Sequence, residues 1–385
     1  MIGDVLHSRY QVIDKLGFGG YSTVWLARDT HRNRYVTLKV SVSNSIQRET
    51  KVLKALSAPP SSSPHPGRGL VPVFLDEFEV QGPNGKHICY TVVPAQCNLR
   101  EASFSRLFPL EVARALSYRL AQAVYIHSQG YVHGDIHLNN VLVKLSSSFD
   151  ELSIQEFYEK YGEPETVPIT RRDGEPLPPN TQAKAVVPLF LGKFAERFSL
   201  SDAYPVLVDF GEAFAPASEA RLGQDCHTPI VSRAPEAKFE SQMLLAYPSD
   251  IWSPGTTIWE IIGMKAIFST ECIDEDEIVS QHIDVLGPMP SEWWQRWEER
   301  PRFFDEYGNP TESYKENVWP PLEESFEIGV QTWRRKMGGE IEEDEKAAFL
   351  DLMRRMLAFR PEERPTAEEV LMSDWMVKWV LPQFS

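Results

Sequence analysis

The chain is poor in cysteine. Four stand among 385 residues (Cys89, Cys97, Cys226 and Cys272), far apart and with no C-x-x-C pair. That excludes a disulfide framework and the usual zinc motifs, and leaves reduced, buried thiols in a reducing intracellular compartment as the expectation. No apolar run approaches the ~20 residues that cross a bilayer, so no membrane partner is expected. Residues 1–10 lack the charged start and apolar stretch of a secretory signal. Basic residues are in deficit, 39 Lys and Arg against 55 Asp and Glu, for a formal charge of −16. This argues against direct binding of nucleic acid, whose phosphates demand basic surface. It is compatible with a basic protein substrate, although most acidic surface is merely solvated.

What is present changes character along the chain. Up to about residue 95, runs at 10–16, 22–29, 34–40, 71–80 and 87–93 are β-rich and broken by glycine or polar turns, with one helical pattern at 46–56. From Leu99 helical spacing takes over, and residues 110–129 are periodic in Val112, Leu116, Leu120 and Val124, which predicts a buried helix. A small strand-rich half before a large helical half predicts an α+β protein of two lobes, 1–95 and 96–385, with a cleft between them. Two stretches look inserted: about 146–204, whose centre is rich in proline and charge, and about 291–345, rich in tryptophan and acid.

The chemistry-bearing residues come in a fixed order. Gly17-Phe18-Gly19-Gly20-Tyr21-Ser22-Thr23-Val24 joins two predicted strands; glycine lets backbone approach phosphate oxygens, and strand flanks make this a hairpin lid. Alone it is equally an ordinary glycine-rich turn. Lys39 lies in the apolar strand Tyr35-Val36-Thr37-Leu38-Lys39-Val40, where a cation reaches phosphate if a carboxylate holds it. Glu49 is the acidic residue available for that on the following helix. His133-Gly134-Asp135-Ile136-His137-Leu138-Asn139-Asn140 then offers Asp135 to orient or deprotonate a hydroxyl and Asn140 to bind Mg²⁺. Asp209-Phe210-Gly211 supplies a second Mg²⁺ ligand, Asp209, because phosphoryl transfer needs charge neutralised on the oxygens being moved. Any one of these Asp residues alone reads as a turn cap. Their succession, closed by Arg233-Ala234-Pro235-Glu236, points to transfer of a phosphoryl group from ATP.

These residues resemble the eukaryotic protein kinase family from about Tyr10 to Trp379. Asp250-Ile251-Trp252-Ser253-Pro254-Gly255 and Arg360-Pro361-Glu362-Glu363-Arg364-Pro365 resemble two further family motifs. The resemblance implies a bilobal kinase fold, a Glu236–Arg364 ion pair bracing the helical lobe, and Asp250 tying down the catalytic loop. It implies ATP beneath Leu16, Gly17, Phe18, Gly19, Gly20, Tyr21 and Ser22, with Val24 and Leu142 around adenine and Val93 to Ala95 at its edge. Within the family the chain is most similar to SR-protein kinases and their fungal relatives, in the CMGC group. Arg9-Tyr10-Gln11-Val12-Ile13, Ser22-Thr23-Val24-Trp25-Leu26 and Gly85-Lys86-His87-Ile88-Cys89 carry that likeness. It implies a serine/threonine kinase, monomeric, cytoplasmic or nuclear, acting on Arg/Ser-rich splicing factors. Asp274, Glu275 and Asp276 are candidate docking carboxylates for such substrates, as is the run 340–345.

The chain departs from the family pattern in places. Gly134 replaces the arginine that receives an activation-loop phosphate, which predicts activity without that switch. His137 replaces a lysine, and with an unperturbed pKa of ~6.5 it is mostly neutral at cytosolic pH. Activity is then expected to be lower, or to rise in mild acid. Two other functions compete. Small-molecule phosphotransferases share H-G-D-x-H-x-x-N, but D-F-G, the A-P-E segment and Arg364 belong to a peptide platform. A catalytically dead scaffold is the second, and Lys39, Glu49, Asp135, Asn140 and Asp209 all stand against it.

Overall fold

Glycine and polar turns cut the first ninety residues into strands, and the computed structural model pairs them into one antiparallel sheet; it describes residues 2–43, 48–58, 65–178, 181–269, 271, 274–337 and 339–384. The strands are β1 (Val5–Leu6), β2 (Tyr10–Phe18), β3 (Ser22–Asp29), β4 (Arg34–Ser41), β5 (Phe74–Gly82) and β6 (Gly85–Val92), in the order β1-β2-β3-β4-β6-β5. The sequence predicts five; the sixth, β1, is too short to show a pattern and pairs Val5 with Gln11. Helix α1 (Arg48–Ser57) follows β4, and the first two residues of its predicted span lie outside the described residues.

Strand alternation gives the sheet two apolar faces. Val12, Trp25, Ala27, Val36 and Leu38 cluster with Phe78 and Cys89 on one. Ile13, Leu26 and Tyr35 leave the other and pack against Phe149 and Phe157, more than a hundred residues downstream.

That packing redraws the domain boundary. The chain divides into a strand-rich unit of Met1–Ala58, Pro72–Cys97 and Lys144–Gly192, and a helical unit of Pro59–Val71, Asn98–Val143 and Lys193–Ser385. A single boundary at 95 is the expectation from sequence; instead, most of the stretch at 146–204 returns to the strand-rich unit. The reason is apolar: Leu152, Ile154, Phe157, Tyr158, Tyr161, Leu189 and Leu191 gather on the sheet.

Strand β7 (Ala95–Asn98) follows β6, and in the strand-rich unit the returning segment forms α4 (Ile154–Tyr161) and the hairpin β9 (Thr166–Pro168)–β10 (Lys184–Val186). Ser153 and Glu156 cap α4 reciprocally, which fixes where it starts.

The helical unit is built on α3 (Leu110–Ala123) and α6 (Tyr247–Ile262), with the short helix α2 (Leu99–Ser103) before the first and α5 (Glu236–Phe239) before the second. The single predicted helix at 110–129 tightens into a 3₁₀ turn over Val124–Gln129 and ends at Gly130, where φ is +83°. Helix α6 is buried almost throughout, with Trp252 and Trp259 fully enclosed. The tryptophan-rich stretch that looks inserted, 291–345, is core: Trp293, Trp297, Phe303, Phe304 and Tyr314 pack with Val279, Met289 and Phe359. Among the described residues, no helix is long and apolar enough to cross a membrane.

Candidate active site

The predicted site residues fall into two groups, one in each unit. In the strand-rich unit the hairpin Gly17–Val24 closes β2 onto β3, with Gly17 opposite Val24 and Phe18 opposite Thr23. The Gly19 N–H donates to the Ser22 carbonyl at 2.9 Å, making the turn. Phe18 and Tyr21 are 69% and 80% exposed, so the tip is not held by burial. Among the described residues nothing lies within 4 Å of a Cβ built on Gly17, Gly19 or Gly20. The packing among the described residues does not require glycine at these three positions.

Val24 stands opposite Lys39 on β4, and opposed residues project from the same face. Lys39 Nζ donates to both oxygens of Glu49, at 2.9 and 2.8 Å, and both side chains are largely shielded. The predicted lysine–carboxylate pair is formed. Leu16 packs against the cluster of Ile13, Leu26 and Tyr35, while Val93 directly follows β6 and Ala95 opens β7.

The helical unit carries the rest. His133 is fully buried, and its N–H donates to Asp250, as does that of Gly134, at 2.8 Å. Its Nδ1 accepts from Asp135 N–H at 3.2 Å, so Nε2 carries the proton towards the Val208 carbonyl at 3.1 Å. Burial holds this imidazole below its usual pKa, against the pull of Asp250, Asp135 and Asp209. The loop is thus fixed by a neutral ring and one buried carboxylate. Burial works to raise the Asp250 pKa, but the hydrogen bonds from the His127 ring and the Gly134 N–H outweigh it and hold it low. Asp250 does what the motif implies.

Asn140 Nδ2 donates to the carbonyl and Oδ2 of Asp135, both at 2.9 Å. Asp135 Oδ1 is buried without a hydrogen bond, with His137 Nε2 3.3 Å away. An orphaned buried acceptor is costly unless a donor arrives, and a substrate hydroxyl is such a donor. Strand β8 (Val141–Lys144) carries Leu142 and pairs with β11 (Pro205–Leu207), bringing Val208 N–H to the Asn140 carbonyl at 2.9 Å. Asp209 follows in left-handed backbone, φ 64° and ψ 71°, an unfavourable state for a non-glycine residue that is typical of functional positions. Phe210 is buried, its ring 4.7 Å from that of His133.

Gly134 has φ +77°, and a Cβ there would meet the Glu212 carbonyl at 3.0 Å. The backbone path itself therefore excludes an arginine. What ties the following segment down lay beyond sequence reasoning: the Glu212 carboxylate is shared between Arg221 Nη1 at 2.8 Å and His227 Nδ1 at 3.0 Å. Burial raises the Glu212 pKa, but His227 and Arg221 outweigh it and hold it low. Thr228 Oγ1 donates to the Gly134 carbonyl at 2.6 Å. No local pattern announces this clamp; the only signal is an acid directly after D-F-G. Also unforeseen is Glu260, near the end of α6, whose buried carboxyl is raised by desolvation against the pull of Arg100 and His137.

Glu236 and Arg364 form the expected buried pair, with two bonds of 2.7 Å. The candidate docking carboxylates are already engaged. Asp274 caps α7 (Glu275–Leu286) and meets Arg302; Glu275 pairs with Arg233 and Lys238, and Asp276 with Lys238 and Trp297.

A sheet lysine clamped by a helix glutamate, and a loop aspartate held by Asn140 with His137 3.3 Å from its other oxygen, are groups that phosphoryl transfer uses, and the chain belongs to the protein kinase family. The protein kinase domain profile matches residues 199–376. A serine/threonine protein kinase of Aspergillus fumigatus is 30% identical, over 98% of this chain and 86% of that one. Human SRSF protein kinase 3 is 32% identical over 38% of this chain and 28% of its own length. A solved kinase-domain crystal structure superposes with a TM-score of 0.64 at 17% identity, covering 98% of this chain and 97% of the other. The chain is accordingly a protein serine/threonine kinase, of a family that generally uses ATP and Mg²⁺.

Proposed function

We propose that this kinase transfers the γ-phosphoryl group of ATP to serine or threonine in basic, Arg/Ser-rich proteins such as splicing factors, acting as a monomer in the nucleus or cytoplasm. MgATP supplies the phosphoryl group and the metal charge that neutralises its oxygens. The hairpin of Leu16, Gly17, Phe18, Gly19, Gly20, Tyr21, Ser22 and Val24 covers the phosphates with backbone. Lys39, oriented by Glu49, steadies them, and Leu142, Val93 and Ala95 serve adenine. Asn140 and Asp209 hold Mg²⁺; two oxygen ligands suit an ion that keeps phosphate and water for the rest of its shell. Asp135 receives the substrate hydroxyl on Oδ1, which accepts no hydrogen bond and has His137 Nε2 3.3 Å away.

The observation that carries catalysis is the intact Lys39–Glu49 pair together with the orphaned Asp135 oxygen. Similarity to SRSF protein kinase 3 and the charge of −16 support the basic substrate. The test is phosphate incorporation from MgATP into an Arg/Ser repeat peptide and into myelin basic protein, with Asp209→Asn as the blank. Incorporation into the repeat, absent from the blank, supports both parts. Transfer only to myelin basic protein keeps the kinase and removes the Arg/Ser assignment. Binding of ATP without transfer to either favours the scaffold. Nuclear or cytoplasmic residence is read from a fluorescent fusion.

A further inference from the structure

Strand β2, which delivers the glycine hairpin, is bent twice. Its register against β3 slips between Val12 and Asp14 and again between Lys15 and Gly17, so that Ile13 and Leu16 are extra residues with no partner on β3. A bulge bends a strand and diverts backbone groups from the ladder. At both bulges the returning segment Lys144–Gly192 supplies what the sheet does not. Tyr158 Oη, on α4, donates to the Ile13 carbonyl at 3.0 Å. The Leu189 N–H donates to the Lys15 carbonyl at 2.7 Å. The two extra side chains enter one apolar cluster with Phe157, Tyr158, Leu189 and Leu191. The segment is anchored independently of β2: Asp150 accepts the Tyr35 N–H at 2.6 Å, and its carbonyl accepts from Arg28 at 3.0 Å.

We propose that this segment is a strap that positions the nucleotide hairpin, with Tyr158 and Leu189 as its positioning residues. Each holds one bulge, and the second bulge lies directly before Gly17, so the strap sets the angle at which residues 17–24 leave the sheet. The exposed tip at Phe18 and Tyr21 has little packing of its own to do so. The proposal deepens the nucleotide-site reading above and rests on it.

The test uses the full chain with Tyr158→Phe, the double variant Tyr158→Phe/Leu189→Pro, and Tyr161→Phe as control. Tyr161 packs in the same cluster, and among the described residues its hydroxyl makes no bond to β2. Loss of one or two backbone anchors should raise the KM for ATP about three- to tenfold, the worth of a hydrogen bond or two. The kcat should stay within about twofold and the KM for peptide should not move, a split that general destabilisation would not produce. Amide hydrogen exchange over residues 14–24 should quicken in the single and double variants and stay unchanged in the control. Unchanged exchange across the hairpin, or an equal loss of kcat and both KM values in all three variants, overturns the strap. Exchange that quickens as expected in a chain whose wild type binds no MgATP overturns the nucleotide reading instead, and the positioning role with it.

Discussion

At the scale of single residues, catalysis and stability pull on different carboxylates. Asp135 keeps one buried oxygen unpaired, a cost tolerated where a substrate proton completes the bond. Asp135→Asn should therefore lower kcat by about 10²- to 10⁴-fold while leaving ATP affinity, measured by thermal shift, near wild type. A loss below tenfold would remove Asp135 from its role. Asp14 is the opposite case, buried on β2 with one acceptor bond from the Lys15 N–H at 2.7 Å. Burial pushes its carboxyl up to about 6, from an ordinary 3.8. The folded state then binds the proton more tightly than the unfolded state, so stability falls as pH rises from about 4 to 6 and stays reduced above. The whole window corresponds to roughly 3 kcal/mol. Asp14→Asn keeps the accepting oxygen and has no charge to bury. Its denaturation midpoint should exceed wild type at pH 7.5, and the gap should close below pH 4. A gap that is the same at both pH values would show that Asp14 is not the titrating group.

At the scale of elements, the segment after Asp209-Phe210-Gly211 is held in place by side-chain bonds. Thr228 is only 4% exposed and its hydroxyl already serves the Gly134 carbonyl, so a phosphate there would have to break that contact. Glu212 occupies Arg221 and His227 from within the chain. Phosphatase treatment should leave activity unchanged, and Thr228→Glu should lower it; a rise in either assay would mean the segment is regulated after all. Glu212→Gln should reduce kcat several-fold by weakening two charge-assisted bonds. Elements of this kind divide cleanly by how they are encoded. Strands β2 to β6, α1, α3 and the order of Lys39, Glu49, Asp135, Asn140 and Asp209 were legible because period and spacing are local properties. Glu236–Arg364 was legible only through resemblance, since 128 positions separate the partners. The strap was not legible: beyond α4 its apolar residues show no period, and their partner surface is the far face of β2, β3 and β4. The centre of that stretch showed only its richness in proline and charge, and residues on both sides of β9 are exposed. The Glu212 clamp was hidden for the same reason, because its three side chains meet only once the segment has folded back.

At the scale of the molecule, the charge of −16 sets a field rather than a docking site. The acidic residues that looked most suited to capturing arginine are neutralised by their neighbours, Asp274 by Arg302 and Glu275 with Asp276 by Arg233 and Lys238. Exposed pairs of this sort add little stability, but they do cancel the local charge that a docking groove would need. Attraction for a basic peptide then falls to the other carboxylates, the run 340–345 among them, and to their summed excess. Such a field acts over about 10 Å at 0.1 M salt and shrinks to about 3 Å at 1 M. The KM for an Arg/Ser repeat peptide should therefore climb several-fold as salt is raised from about 0.05 to 0.5 M, with kcat held, because screening weakens encounter and not chemistry. A peptide of the same length with its arginines replaced by glutamine should show a high KM that salt barely moves. Reversing Asp274, Glu275 and Asp276 to lysine should shift the KM for the repeat by no more than removing six charges from the total would, much as the same reversal at the exposed Glu312, Glu316 and Glu324. A selective rise in KM for the first triple, erased by high salt, would instead restore those three residues as a docking site and show that their internal partners give way to substrate arginine.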